Sequence, residues 1–149
     1  MNRAILAGSV IVGIAVMLSM NMMPADAGRL VVEVEIDIKP GSDTNPINPL
    51  SKGVIPVAIL GSAIFDASSV DVSTLAFGPA GTAPTHLVGG HPEDVNDDGF
   101  TDLLSHYRTQ QTGITEGDTE ACITGDLLDG TPFEACDAIT TVPPNSGPW

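Results

Sequence analysis

The sequence predicts an all-β fold: a single antiparallel β-sandwich, immunoglobulin-like or similar, with about seven short strands. Three observations carry this expectation. Apolar and polar residues alternate with period two in several short runs. Clusters of Gly, Pro, Asn and Asp separate those runs. Beyond residue 27 no long stretch repeats apolar residues at helical spacing, and no internal repeat points to a propeller or solenoid.

Residues 1–27 stand apart. Met1-Asn2-Arg3 carries one positive charge, Ala4 to Met20 is almost wholly apolar, and Pro24 precedes Ala25-Asp26-Ala27. That order is a secretory signal peptide, with cleavage expected after Ala27. An uncleaved anchor is the competing reading; the apolar run is short for a spanning helix, and a cleavage site follows it. The expected organisation is a signal at 1–27, a β-sandwich module at 28–142 and a flexible tail at 143–149. The module is expected in the periplasm or outside the cell, with no stable membrane insertion after cleavage.

Within the module, "RLVVEVEIDIK" places Val32, Val34, Ile36 and Ile38 on one face and Glu33, Glu35 and Asp37 on the other, a strand with one wet side. "PGSDTNPINPLSKG" is a loop. "GVIPVAILG" reads as a buried strand in which Pro56, lacking an amide donor, predicts an edge position or a bulge. "FDASSVDVSTLAFG" predicts one turn followed by a strand from Thr74 to Phe77, and "GPAGTAPTHLVGGHP" a loop with at most one brief strand. "DLLSHYRT" is extended, and "TEACITGDLLDGTPFEACDAITTV" gives a hairpin and a last strand.

Cys122 and Cys136, an even count in an exported chain, predict a disulfide. A loop centred on Asp129 sets them opposite one another, whereas a two-residue Asp129-Gly130 turn would leave them one position out of register.

Charge narrows the function. Without Arg3 and Asp26 the module keeps 18 acidic residues against four basic ones, a net −14. That balance excludes nucleic acid and anionic membrane surfaces as partners and favours cations. "EDVNDDGFTDLL", residues 93–104, concentrates five acidic residues and an asparagine. Counted from Asp94, oxygen side chains fall at positions one, three, five and nine: Asp94, Asn96, Asp98 and Asp102. Gly99 stands at position six and the Phe100 carbonyl at seven. Calcium takes six to eight hard oxygen ligands, and alternate residues of a tight loop can aim them inward around a glycine turn. The metal ligands predicted are therefore Asp94, Asn96, Asp98, Phe100 and Asp102, with Ca²⁺ as the cofactor. Ser105 occupies position twelve, where an EF-hand has Glu, and Asp97 at position four needs a left-handed conformation that Asp tolerates. The competing reading is a solvated turn rich in turn-forming residues.

Other polar groups are less specific. His86, His91 and His106 fit no zinc spacing, and His106 shares a strand face with Leu104 and Arg108, so they read as surface or hydrogen-bonded histidines. Asp118, Glu120 and Asp126 suggest either a second cation site or ordinary turn carboxylates. The chain has no G-x-S-x-G, H-E-x-x-H or C-x-x-C motif and no phosphate-cradling glycine loop, so no catalytic residue is assigned and an enzyme is not expected. Few aromatic residues are present, and the phenylalanines are expected in the core, which weakens a sugar-stacking role.

The strings "IDIKPGSD", "SKGVIPVAILGS", "FDASSVDVSTLAFG", "EDVNDDGFTDLL" and "LLDGTPFEACD", in that order, resemble a family of uncharacterised exported bacterial and archaeal β-rich modules over about Glu33 to Val142. The acidic loop is similar to those of dockerins and FG-GAP repeats. The resemblance implies a piece of a larger secreted, adhesion-like assembly and a calcium-type loop at Asp94, Asn96, Asp98 and Asp102; it implies no activity. The expected function is a secreted calcium-binding module with a structural, adhesion or assembly role, engaging a cell-surface or extracellular protein or polysaccharide. The alternative is a carbohydrate-binding accessory module of an extracellular polysaccharide-processing system.

Overall fold

The computed structural model describes residues 32–86 and 90–143. The predicted signal and residues 144–149 of the predicted tail lie outside the described residues, as do the module's first four residues. No helix among the described residues is long and apolar enough to cross a membrane.

The fold is all-β, with two antiparallel sheets and one short parallel pair. Among the described residues nine strands follow in order: β1 (Glu35–Ile38), β2 (Pro46–Ile47), β3 (Val54–Leu60), β4 (Val70–Phe77), β5 (His91–Glu93), β6 (Asp102–Arg108), β7 (Glu120–Leu127), β8 (Pro132–Ala138) and β9 (Thr140–Thr141). One sheet has the order β1-β3-β6-β5 and another β4-β7-β8, while β2 and β9 pair in parallel. The strands thus divide among three sheets instead of the two of a simple sandwich. β2 is only two residues long and follows Asn45, whose backbone is left-handed (φ 43°).

Alternation decides which faces meet. Ile36 and Ile38 of β1, Ile55, Val57 and Ile59 of β3, and Leu103 and Tyr107 of β6 point to one side of the first sheet. Leu75, Phe77, Ile123, Phe133 and Ala135 do so from the second sheet, and all of them join one buried cluster. Phe77 and Tyr107, one ring from each sheet, meet with centroids 4.9 Å apart. The Tyr107 hydroxyl accepts from Ser105 Oγ at 3.0 Å, so its polar end is answered inside the core.

Pro56 corrects the sequence reading, because β3 is a central strand. Its carbonyl accepts from Lys39 N–H at 2.8 Å, so the side without a donor faces β1 just past the last paired residue, Ile38. The Lys39 carbonyl that a donor at 56 would have met takes Ser42 N–H instead. Lys39 has φ 56°, so β1 turns away where the proline would have broken the ladder.

β4 begins four residues earlier than expected, after a 3-10 turn over Ala67–Ser69 capped by the Asp66 carboxylate. Its register with β7 shifts between Asp71 and Ala76, and Thr74 Oγ1 accepts Asp126 N–H at 2.8 Å inside that irregularity.

The β7–β8 hairpin turns through Leu128-Asp129-Gly130: Leu127 N–H reaches the Thr131 carbonyl and Gly130 N–H the Leu127 carbonyl, both at 2.8 Å. This three-residue loop, with Gly130 at φ 83°, sets Cys122 opposite Cys136, and the two form a disulfide.

The open edge of β1 is closed by one side chain. Asp137 Oδ2 accepts Ile38 N–H and Asn45 Nδ2, each at 3.0 Å, and Asn45 Nδ2 also reaches the Ala138 carbonyl at 2.8 Å. One carboxylate thus ties the first sheet to β8 and covers an edge that would otherwise be free to pair.

Candidate metal centre

The acidic loop leaves β5 at Glu93 and returns as β6 at Asp102, a pair facing each other across the ladder. Its termini are therefore fixed by sheet pairing, and its course by internal hydrogen bonds. Asp94 accepts from the amides of Asp98 (3.1 Å) and Gly99 (2.9 Å). Asn96 Oδ1 accepts from the Asp98 amide at 3.2 Å, and its Nδ2 donates to Asp98 Oδ2 at 3.0 Å. Asp98 Oδ1 accepts from Phe100 N–H at 2.8 Å. Gly99 at φ 88° and Asp97 at φ 59° supply the left-handed turns that this closure needs.

Asp94, Asn96 and Asp98 are thus brought together on an exposed loop, in the expected alternation. Phe100 enters the network through its amide, and its ring, 40% exposed, is an exception to the expectation that the phenylalanines are core. Phe65, Phe77 and Phe133 are buried as expected.

Asp102 has a different setting. It is 1% exposed, and its two oxygens accept Gly61 N–H and Val95 N–H, both at 2.8 Å. One carboxylate therefore clips the start of the loop to the end of β3. The approach is close enough that a Cβ on Gly61 would run into the Thr101 carbonyl. Gly61 is the contributor that sequence reasoning missed. Gly61 lies 41 residues from its partner, and only its place after an apolar run marks it.

No protein-family model, no curated protein and no solved structure matches this chain.

The donors to Asp94, Asp98 and Asp102 named above are all neutral N–H groups, with no lysine or arginine among them. Neutral donors stabilise a carboxylate but leave its charge uncompensated, and each oxygen keeps lone-pair capacity for a hard cation. Among the described residues, the group of three acidic, histidine or cysteine side chains whose ligand atoms lie within 4.8 Å of one another is Glu120 with Cys122 and Cys136, and both its sulfurs are in the disulfide. The three loop aspartates are more widely set.

The other candidate cation site does not assemble. Asp118 Oδ2 closes a turn by accepting from Thr115 N–H at 2.8 Å, Glu120 stands beside the disulfide, and Asp126 sits at the far end of β7. Six residue steps along the strand separate Glu120 from Asp126, about 20 Å. The histidines behave otherwise. His91 and His106 meet edge-to-face with ring centroids 6.3 Å apart, and His86 lines the same small cavity.

Proposed function

We propose that this chain is a secreted, calcium-binding β-sandwich module with a structural, adhesion or assembly role outside the cytoplasm. The two antiparallel sheets that share one core would be the layers of that sandwich, with the β2–β9 pair outside them. The observation that carries the reading is the acidic loop. Its oxygens alternate on a closed turn, its carboxylates are answered by neutral amides, and Asp102 joins it to β3.

The mechanism is one of ordering. A divalent ion held by Asp94, Asn96, Asp98 and the Phe100 carbonyl offsets the repulsion between loop carboxylates. Asp102 adds to the same charge cluster from the buried side and carries the stiffening into the first sheet. A ligand that binds only the folded state, present at 100 times its dissociation constant, stabilises by about 2.7 kcal/mol. The test is calorimetric calcium titration of the chelator-treated chain, with thermal melts at millimolar calcium. A calcium-dependent rise in Tm that disappears in Asp98→Ala is expected. An equal rise in Asp98→Ala, or no uptake by the unmutated chain, refutes the assigned loop.

A further inference from the structure

We infer that His86, His91 and His106 form a binding site for a divalent transition ion of the zinc, nickel or copper class, separate from the acidic loop. The chain contains three histidines in 149 residues, and all three line one cavity of about 10 Å³. Residues scattered over 21 positions are gathered there by the fold, not by sequence proximity.

Strand pairing does the gathering. His91 of β5 lies opposite Leu104 of β6, which puts it on the same sheet face as His106, one diagonal step along. Their rings stand edge-to-face at 6.3 Å between centroids. Farther along β6, Thr85 N–H donates to the His106 carbonyl at 2.8 Å, fixing the backbone next to His86 against the same strand. Leu104 also lines this cavity. This is the outer face of the first sheet, opposite the face that carries Leu103 and Tyr107 into the core.

A cavity of that volume holds about one water-sized sphere, room enough for an ion. Imidazole nitrogen is the ligand type preferred by zinc, copper and nickel, whereas calcium prefers oxygen. The two centres therefore select different metals. At least one pair of ring nitrogens is more than 4.8 Å apart. His86 and His91 are exposed, so their side chains are free to rotate toward His106 without moving a strand. Three imidazoles leave the remaining coordination positions to water. The net charge of −14 raises the local concentration of any divalent cation around the molecule.

The experiment is isothermal titration of the full, untagged chain with zinc chloride, with calcium present throughout to fill oxygen sites. One equivalent of zinc is expected to bind. His86→Ala, His91→Ala and His106→Ala should each weaken it by roughly tenfold or more, and Asp98→Ala should leave it unchanged. Melts without zinc check that each variant is folded. His91, exposed on an edge strand, is the variant least able to disturb the fold, and His106→Gln replaces His106→Ala if the latter unfolds. Unweakened binding in any one of the histidine variants overturns the three-histidine assignment. So does loss of zinc in Asp98→Ala, or the absence of stoichiometric uptake at about 0.1 mM zinc.

Discussion

Replacing Asp102 by alanine tests the joint between the acidic loop and the sheet directly. The carboxylate is 1% exposed and accepts two amides at 2.8 Å. Hydrogen bonds to a charged acceptor each contribute about 1.5–3 kcal/mol net, so two contribute about 3–6. The Gly61 amide is buried and, among the described residues, donates to Asp102, while Val95 is half-buried and water can reach it, which places the total toward the lower end. Asp102→Ala should therefore lose about 3 kcal/mol, on the order of 10 °C in Tm for a domain of this size. Urea unfolding in the presence of a chelator is the assay, because it removes any metal contribution, and the denaturant slope should stay unchanged. Asp102→Asn keeps the shape but turns an NH₂ toward one of the two N–H donors, so it should recover little. A loss below about 1 kcal/mol in the alanine variant, or an asparagine variant as stable as the original, would sink the claim that this carboxylate holds the loop to β3.

Three further outcomes are expected. Burial pushes the Tyr107 hydroxyl up to about 12 from its ordinary 10.0, so the folded state resists its ionisation. That contribution is complete below pH 10 and is lost as pH rises toward 12; about 3 kcal/mol should vanish over this window, and Tyr107→Phe should flatten the decline in alkaline urea melts. Burial first, then the Asp137 carboxylate and then that of Asp102, hold the Asp37 carboxyl above its ordinary 3.8, so the folded state binds that proton more tightly than the unfolded chain. The benefit exists at acid pH and is gone at neutrality: Asp37→Asn should raise Tm at pH 7 and not at pH 3, and a lower Tm at pH 7 would contradict the assigned repulsion. The disulfide spans a sequence separation of 14, and replacing both cysteines by serine should cost about 3 kcal/mol in chemical unfolding while the β7–β8 hairpin persists by circular dichroism.

Local features were legible from residue types. Alternation from Val32 to Ile38 gave β1 its buried and wet faces, and Asp129-Gly130 marked the hairpin whose three-residue loop aligns the cysteines. Asp97 and Gly99 announced left-handed turns, and both have positive φ. Each of these depends on a few neighbouring dihedrals, which neighbouring residues largely control.

What the residue string determined by itself was the strand periodicity, the presence of a hairpin around Asp129-Gly130 and a loop crowded with oxygen-bearing side chains, whereas the register that sets the two cysteines opposite one another came from the three-residue turn. The tertiary structure alone decided that Pro56 is harmless in a central strand, because β1 turns away at Lys39. It also decided that Asp102 grips Gly61, that Asp137 seals β1 against β8, and that three unrelated histidines share one cavity. The division has one physical cause. Backbone conformation is set by adjacent atoms, but the partner of a buried carboxylate or an exposed imidazole is set by which strands pair and in what register.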